Sequence, residues 1–459
     1  MSLDAKIATL RAAIQLLNTS SETVIAEWLK EAQSPSPKQS DGSSVPSHEL
    51  HNARRTMVGA MGVCGDLVQD PRARLMEMAL GFYEPRALHV VAEAKVADIL
   101  DEGEHEKGVS IEELSRKTGI KDHKLARVLR TLCSTHVFTE VSYNHFANSP
   151  TSQVLVGNEA LRSFIVTMAW SVYTSSVALP TVLFDPVKSQ SDSALETAFQ
   201  TGHNTKAHYF EWLEQAQVQP DGTTKQRREL PAFGLAMLGG GRALGVPLYR
   251  DYPWQDLGAA TVVDVGGGVG GMSMDLARIH PNLKFVIQDR PAVVEQGKTI
   301  WQRDFPEAVE GGRVTLMAHD FFAEQPVKGA EVYHMRYIIH DWPDDDCVKI
   351  LSALRPALTS PNSRILLSDT VMLTTAPSSA SSASSASFTT APAPLPLNFG
   401  LANRYQHLRD LNMMTLLNGR ERSPEEFGEL ARRAGLRVER FWECRGYVWI
   451  TELRLAGEV

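Results

Sequence analysis

From Ala259 onward the chain repeats one unit, a short β-branched run followed by an amphipathic stretch, and few folds accept that rhythm. ATVVDVG, LKFVIQD, RVTLMAHD, EVYHMRYIIH and SRILLSDTV read as strands, joined near the end by RVERFWE and YVWITELRL. GMSMDLARIH, VVEQGKTIWQ, CVKILSALRPAL and PEEFGELARRAG read as the helices between them. Seven strands alternating with helices predict a Rossmann-like α/β domain over residues 251–459, its sheet largely parallel and covered on both faces. Ligands of such sheets bind beyond the carboxyl ends of the strands. The residues that end each strand are therefore the first candidates for function.

VVDVGGGVGG (262–271) is a strand turning through glycines into a helix. Glycine supplies positive φ and lets a ligand lie close to the backbone. Gly266, Gly268 and Gly271 satisfy GxGxxG, which admits a dinucleotide. Asp289 closes the second strand, where a carboxylate takes the ribose hydroxyls of NAD or of an adenosyl cofactor equally well. Asp264, directly ahead of the loop, suits a ligand with an amino-acid ammonium better than one with pyrophosphate. Asp320 closes the third strand, within reach of an adenine amino group. These two acids favour S-adenosylmethionine, which has no phosphates, over NAD.

IIHDWPDDD (338–346) puts His340 at the carboxyl end of the fourth strand, on the edge that carries the glycine loop. Asp344, Asp345 and Asp346 precede CVKILSAL, where negative charge meets a helix N-terminus. Three consecutive acids at a helix start do not converge on one ion, so no metal site is expected. Asp369 after SRILLS and Glu421 in NGRERSPEEF bring two more carboxylates to this edge. An imidazole held by carboxylates is oriented and made a better base, although a purely structural histidine is the competing reading.

Ahead of this domain, Ile7, Leu10, Ile14 and Leu17 predict an amphipathic helix over residues 1–32, either a dimer arm or packed on its own chain. QSPSPKQSDGSSVPSH (33–48) reads as a linker. Within residues 75–155, PRALHVVAEAKVADIL, SIEELSRKTG and DHKLARVLRTLCS read as three helices and VFTEVSYNHFAN as a hairpin, the order of a winged helix. Lys121, Lys124, Arg127 and Arg130 give a DNA-binding reading some footing, but Glu112, Glu113 and Asp122 offset them, and dimerisation is preferred. Residues 156–250 read as helical and aromatic-rich, with Met168 and Trp170 among side chains that either fill a core or line a pocket for a flat substrate. A Ser/Ala/Pro-rich stretch, 374–397, is expected to be a disordered insertion, with a lid as its less favoured role.

Composition sets limits on partners. With 46 basic against 54 acidic residues, the charge of −8 makes no case for nucleic acid or a membrane surface. Cys64, Cys133, Cys347 and Cys444 lie far apart, so neither a disulfide framework nor a zinc site is indicated. No apolar run approaches the roughly 20 residues that span a bilayer. A soluble cytoplasmic protein is the expectation.

DVGGGVGG, the strand ends QDRP and HDFF, MRYIIHDWPDD and DLNMMTLLNGRERSPEEF together resemble the cation-independent, S-adenosylmethionine-dependent O-methyltransferases of plant phenylpropanoid and fungal secondary metabolism, over residues 75–455. The resemblance implies a catalytic base at His340, bracketed by Asp369 and Glu421. It implies that Gly266, Gly267 and Gly268 contact the methionine portion of the cofactor, Asp289 its ribose, and Asp320 and Phe321 its adenine, with Arg336 nearby. Met413 and Tyr337 would meet the substrate ring, and the winged-helix-like unit would form a homodimer. Plant members often carry glutamate at position 369 and lysine at 336, and the Ser/Ala/Pro insertion has no counterpart. The expected reaction is methyl transfer to a phenolic or enolic hydroxyl of a small aromatic metabolite. The competing expectations are a cofactor-retaining enzyme of dehydration or pericyclic chemistry, and a DNA-binding regulator that senses the cofactor.

Overall fold

The structure is a computed structural model and describes residues 1–33, 45–104, 106–376 and 388–457. Two compact units emerge, one formed by residues 1–68, 192–194 and 244–459, the other by 69–191 and 195–243.

In the second unit, helices Tyr83–Glu93 and Val96–Asp101 are followed by β1 (Val109–Ser110), helices Ile111–Thr118 and Asp122–Ser134, and the hairpin β2 (Phe138–Ser142) and β3 (His145–Asn148). The three strands pair in the order β1-β3-β2. Ser110 caps its helix by accepting the Glu113 N–H at 3.2 Å, and Gly119 ends it at φ 73°. The next helix starts at Asp122, and Lys121 precedes it without a side-chain cap. Leu114, Leu125, Leu129 and Phe146 belong to the core of this unit. Arg130, one of the four basic residues considered for DNA, donates to Glu140 and Asn144 of its own hairpin.

Residues 156–250 are mainly helical, with a short ladder of β4 (Gln217–Val218) and β5 (Thr224–Lys225) that periodicity did not reveal. Glu159–Phe184 is long and apolar enough by length and composition to span a bilayer, contrary to the expectation that no run approaches that length. Its Arg162 is buried and paired with Asp98 at 2.9 Å, an arrangement of a protein core.

The first unit holds the seven expected strands: β6 (Thr261–Val265), β7 (Lys284–Asp289), β8 (Val314–Ala318), β9 (Val332–Arg336), β10 (Arg364–Asp369), β11 (Leu436–Trp442) and β12 (Trp449–Leu455). Their order is β11-β12-β10-β9-β6-β7-β8, parallel except for β12, which runs antiparallel to both neighbours. Both faces are covered, so Val263, Tyr333 and Leu366 in β6, β9 and β10 have zero exposure. The chain leaves β6 toward β7 on one side and returns to β9 on the other. That reversal opens a crevice at the carboxyl ends of β6 and β9.

Helices Leu3–Gln33 and His48–Val68 pack together, burying Val24, Leu50 and Ala53. Leu16, Leu17 and Ala60 also meet Ala391, Leu395 and Phe399, so one stripe of the first helix packs on its own chain while Leu3, Ile7 and Ile14 stay exposed. Most of the expected linker (34–44) and the centre of the expected insertion (377–387) lie outside the described residues. The insertion's expected disorder does not extend to 397. Phe388 packs 5.4 Å from the rings of both Phe441 and Trp449, and Ala391 and Leu395 are buried, because this end of the segment has apolar surface to hide.

Candidate active site

The glycine loop turns over the carboxyl end of β6. At Gly266 (φ 70°) a β-carbon would strike Ile338 at 2.5 Å, whereas at Gly268 (φ 61°) it would meet open space. The Gly268 N–H donates to Asp289 Oδ2 and the Arg290 N–H to Oδ1, both at 2.8 Å. Burial pushes the Asp289 carboxyl above its ordinary pKa, and these two amides pull it back. Each oxygen keeps a lone pair for a ligand hydroxyl. Asp320 is exposed and accepts the Phe322 N–H at 3.0 Å, and Phe321 lies beside Gly266 with Trp342 across its edge at 6.0 Å. Asp264 does not take the ammonium-binding place expected of it. It is buried beneath the loop, accepting from Ser273 at 2.6 Å and facing His334 Nδ1 at 3.4 Å, so its carboxylate is committed inside the protein.

His340 lies four residues beyond the end of β9, in the 3₁₀ turn Ile339–Asp341, and not on the strand as expected. It is 4% exposed. Nδ1 meets Glu421 Oε1 at 2.9 Å and Nε2 lies 3.4 Å from Asp341 Oδ1. Glu421 is the nearer carboxylate and favours the proton at Nδ1, which leaves Nε2 with its lone pair. Burial pulls the imidazole pKa down, but the Glu421 and Asp341 charges outweigh it and the net shift is upward. Tyr337, at φ 59°, stacks its ring on the imidazole, centroids 5.4 Å apart. Backbone strain of this kind is held only where surroundings enforce it.

Asp369 ends β10 with 2% exposure, and neither carboxylate oxygen has a hydrogen-bond partner among the described residues. Burial pushes its pKa up to about 7. Ligand-type atoms of His340, Asp369 and Glu421 lie within 4.8 Å of one another. The cationic charge in this cluster belongs to Arg409, which sequence reasoning missed. Its Nε donates to Glu421 Oε1 at 2.8 Å, its Nη2 is 3.5 Å from His340 Nδ1, and its guanidinium lies 3.9 Å from the Tyr337 ring centre. Met413, four residues along the same helix (Arg404–Leu417), is buried on the same face.

The NGRERS segment holds this cluster through its backbone as well as Glu421. Arg422 is 1% exposed and donates to the carbonyls of Ile339 and Trp342, each at 2.8 Å, and to Asp344 at 2.9 Å. Asp344 therefore answers Arg422 and Arg420 in addition to its own helix N-terminus. Arg336 ends β9 at the same edge, its guanidinium 5.6 Å from the Tyr337 ring. Met168 and Trp170 belong to the other unit, on a π-helical turn (Met168–Val172), where Arg228 lies over the Trp170 ring at 3.8 Å.

A family model described as an O-methyltransferase domain matches residues 254–437, and one described as an O-methyltransferase dimerisation domain matches residues 76–158. The O-methyltransferase gedA of Aspergillus terreus is 40% identical over 96% of this chain and 96% of its own. CalO1, a methyltransferase in calicheamicin biosynthesis solved in its SAH-bound form, superposes with a TM-score of 0.64 at 25% identity, covering 84% of this chain and 100% of that one. A pericyclic reaction enzyme superposes with a TM-score of 0.66 at 22% identity, covering 88% of this chain and 95% of that one, a likeness of fold alone.

Proposed function

The chain belongs to the S-adenosylmethionine-dependent O-methyltransferases of fungal secondary metabolism, and from that premise we propose that its acceptor is a phenolic or enolic hydroxyl of a flat aromatic metabolite and that His340 is the base. The observation that supports this most is the buried 2.9 Å contact between His340 Nδ1 and Glu421, at the ligand edge of the sheet. A phenol has a pKa of roughly 10 and is little ionised at neutral pH. His340 Nε2 takes its proton as the oxygen becomes a nucleophile, and Glu421 stabilises the imidazolium that results. Arg409 fixes Glu421 from its other side, so the pair meets the substrate in one orientation. Met413 and Tyr337 border this place.

The residues present fit the cofactor: Asp289 has lone pairs turned to a diol, Gly268 offers open backbone, and Phe321 offers a flat apolar face. Gly266, Gly267 and Gly268 would hold the methionine portion, Asp289 the ribose, Asp320 and Phe321 the adenine, and Arg336 the edge of the site. When bound, S-adenosylmethionine supplies the methyl group as an activated sulfonium. The buried surroundings of His340 exclude water from the proton transfer. The enzyme works as a cytoplasmic homodimer joined through its winged-helix-like unit. A non-methylating use of the cofactor has only likeness of fold behind it, and a buried imidazole–carboxylate base serves phenol chemistry directly.

The test replaces His340 with alanine and follows product formation across a panel of phenols, with cofactor affinity measured by calorimetry. A fall on the order of 10²–10⁴ in rate with unchanged cofactor affinity is expected of a lost general base. Methyl transfer at nearly the wild-type rate would overturn the assignment.

A further inference from the structure

The second unit contains a cavity of about 550 Å³. Arg86, Arg227 and Arg228 line it together with His89, Trp170 and Trp212. Each guanidinium lies over an aromatic ring: Arg228 over Trp170 at 3.8 Å, Arg227 over Trp212 at 4.0 Å and Arg86 over Tyr173 at 3.5 Å. None of the three pairs with a carboxylate among the described residues, although Arg130 and Arg162 of the same unit pair with Glu140 and Asp98 at 2.7 and 2.9 Å. The Nε atoms of Arg86 and Arg227 are buried without a hydrogen-bond partner. Two acids stand on the wall, Glu93 at 2.7 Å from His89 and Glu229, against three guanidinium charges.

Buried donors are ordinarily satisfied, and a guanidinium backed by a ring presents its free edge to an anion and its free face to a second flat group. The volume is that of a multi-ring ligand, larger than an inorganic ion needs. We propose that this cavity is a binding site for a planar aromatic carboxylate, its carboxylate received by Arg227 and Arg228 and its ring system held among Trp170, Trp212 and the guanidinium planes. The site does not depend on the role assigned to His340, because its occupancy is read without turnover.

Calorimetric titration of the full chain with anthraquinone-2-carboxylate, its methyl ester and inorganic phosphate tests the proposal. The acid is expected to bind at least about tenfold more tightly than the ester, the ratio that a charge-assisted contact supplies. Phosphate is expected to bind more weakly than the acid. Arg228→Gln, at an exposed position, and Arg227→Gln should each weaken the acid about tenfold and leave the ester nearly unchanged. Equal binding of acid and ester, phosphate binding as tight as the acid, or variants that retain wild-type affinity would overturn it. The source of the natural ligand follows from methyl transfer to a neutral phenol in the presence of the acid. Competitive inhibition identifies an acid group on the acceptor itself, and a change in kcat without competition identifies a separate effector; both outcomes support the site.

Discussion

Gly419 and His340 meet backbone to backbone, so closely that a β-carbon at position 419 would overlap the His340 carbonyl oxygen and crowd Asp341. The approach lets Glu421, two residues on, reach the imidazole. Gly419→Ala must push the two segments apart. A displacement near 1 Å at a catalytic pair costs about 10² in rate, so kcat is expected to fall by that order. Cofactor affinity, set by the loop after β6, should stay unchanged in calorimetry. Wild-type kcat in this variant would show that the approach is dispensable.

Glu421 and Arg409 act on His340 with opposite sign. The carboxylate raises the imidazole pKa and the guanidinium lowers it. Because the base works only when neutral, the rate falls as pH drops through its pKa, and the upward shift puts the acid limb of the kcat/KM profile above 6.5. Glu421→Gln should move that limb to lower pH, and Arg409→Gln should move it to higher pH, each with a reduced plateau. Limbs that move together, or not at all, would contradict the pairing.

Asp369 gives a stability test. Burial holds its pKa at about 7 against 3.8 for the free group. The folded protein therefore keeps a proton that the unfolded chain releases, and the sign follows: this stabilisation is full below about pH 4 and is lost as pH rises through about 7. Asp369→Asn cannot titrate and escapes the loss. Thermal unfolding between pH 5 and 8 should show the variant gaining on the wild type as pH rises, and a constant gap would place the ionisation elsewhere.

All seven strands stand where β-branched runs alternate with amphipathic stretches, because a sheet covered on both faces admits little else. His340, Asp369 and Glu421 were legible for a related reason, since each falls at or just beyond the end of a strand or in a motif-rich loop. Arg409 was not. In RYQHLRDLNMM an arginine reads as the solvated face of a helix, and only the tertiary fold turns it onto Tyr337 and Glu421. Asp264 was misjudged because its position before the loop was visible while Ser273 and His334, its partners, were not. The one available signal for the backbone clamp was a glycine directly before a run of alternating charge in NGRERS, a sign of close approach.

That clamp carries the last prediction. Arg422 ties the carbonyls on either side of His340, at Ile339 and Trp342, to Asp344, and its own carbonyl accepts the Met372 N–H at 2.8 Å. The turn bearing the imidazole is thus fastened to the segment that follows β10. Lysine keeps the charge but cannot fork to two carbonyls and a carboxylate at once. Arg422→Lys should therefore destabilise the protein less than Arg422→Met, which leaves buried acceptors unpaired at a cost of about 3 kcal/mol. Both should lower kcat, because the carbonyls they free flank the catalytic ring. Urea unfolding followed by tryptophan fluorescence ranks the three proteins, and a methionine variant as stable as the wild type would remove Arg422 from the support of the site.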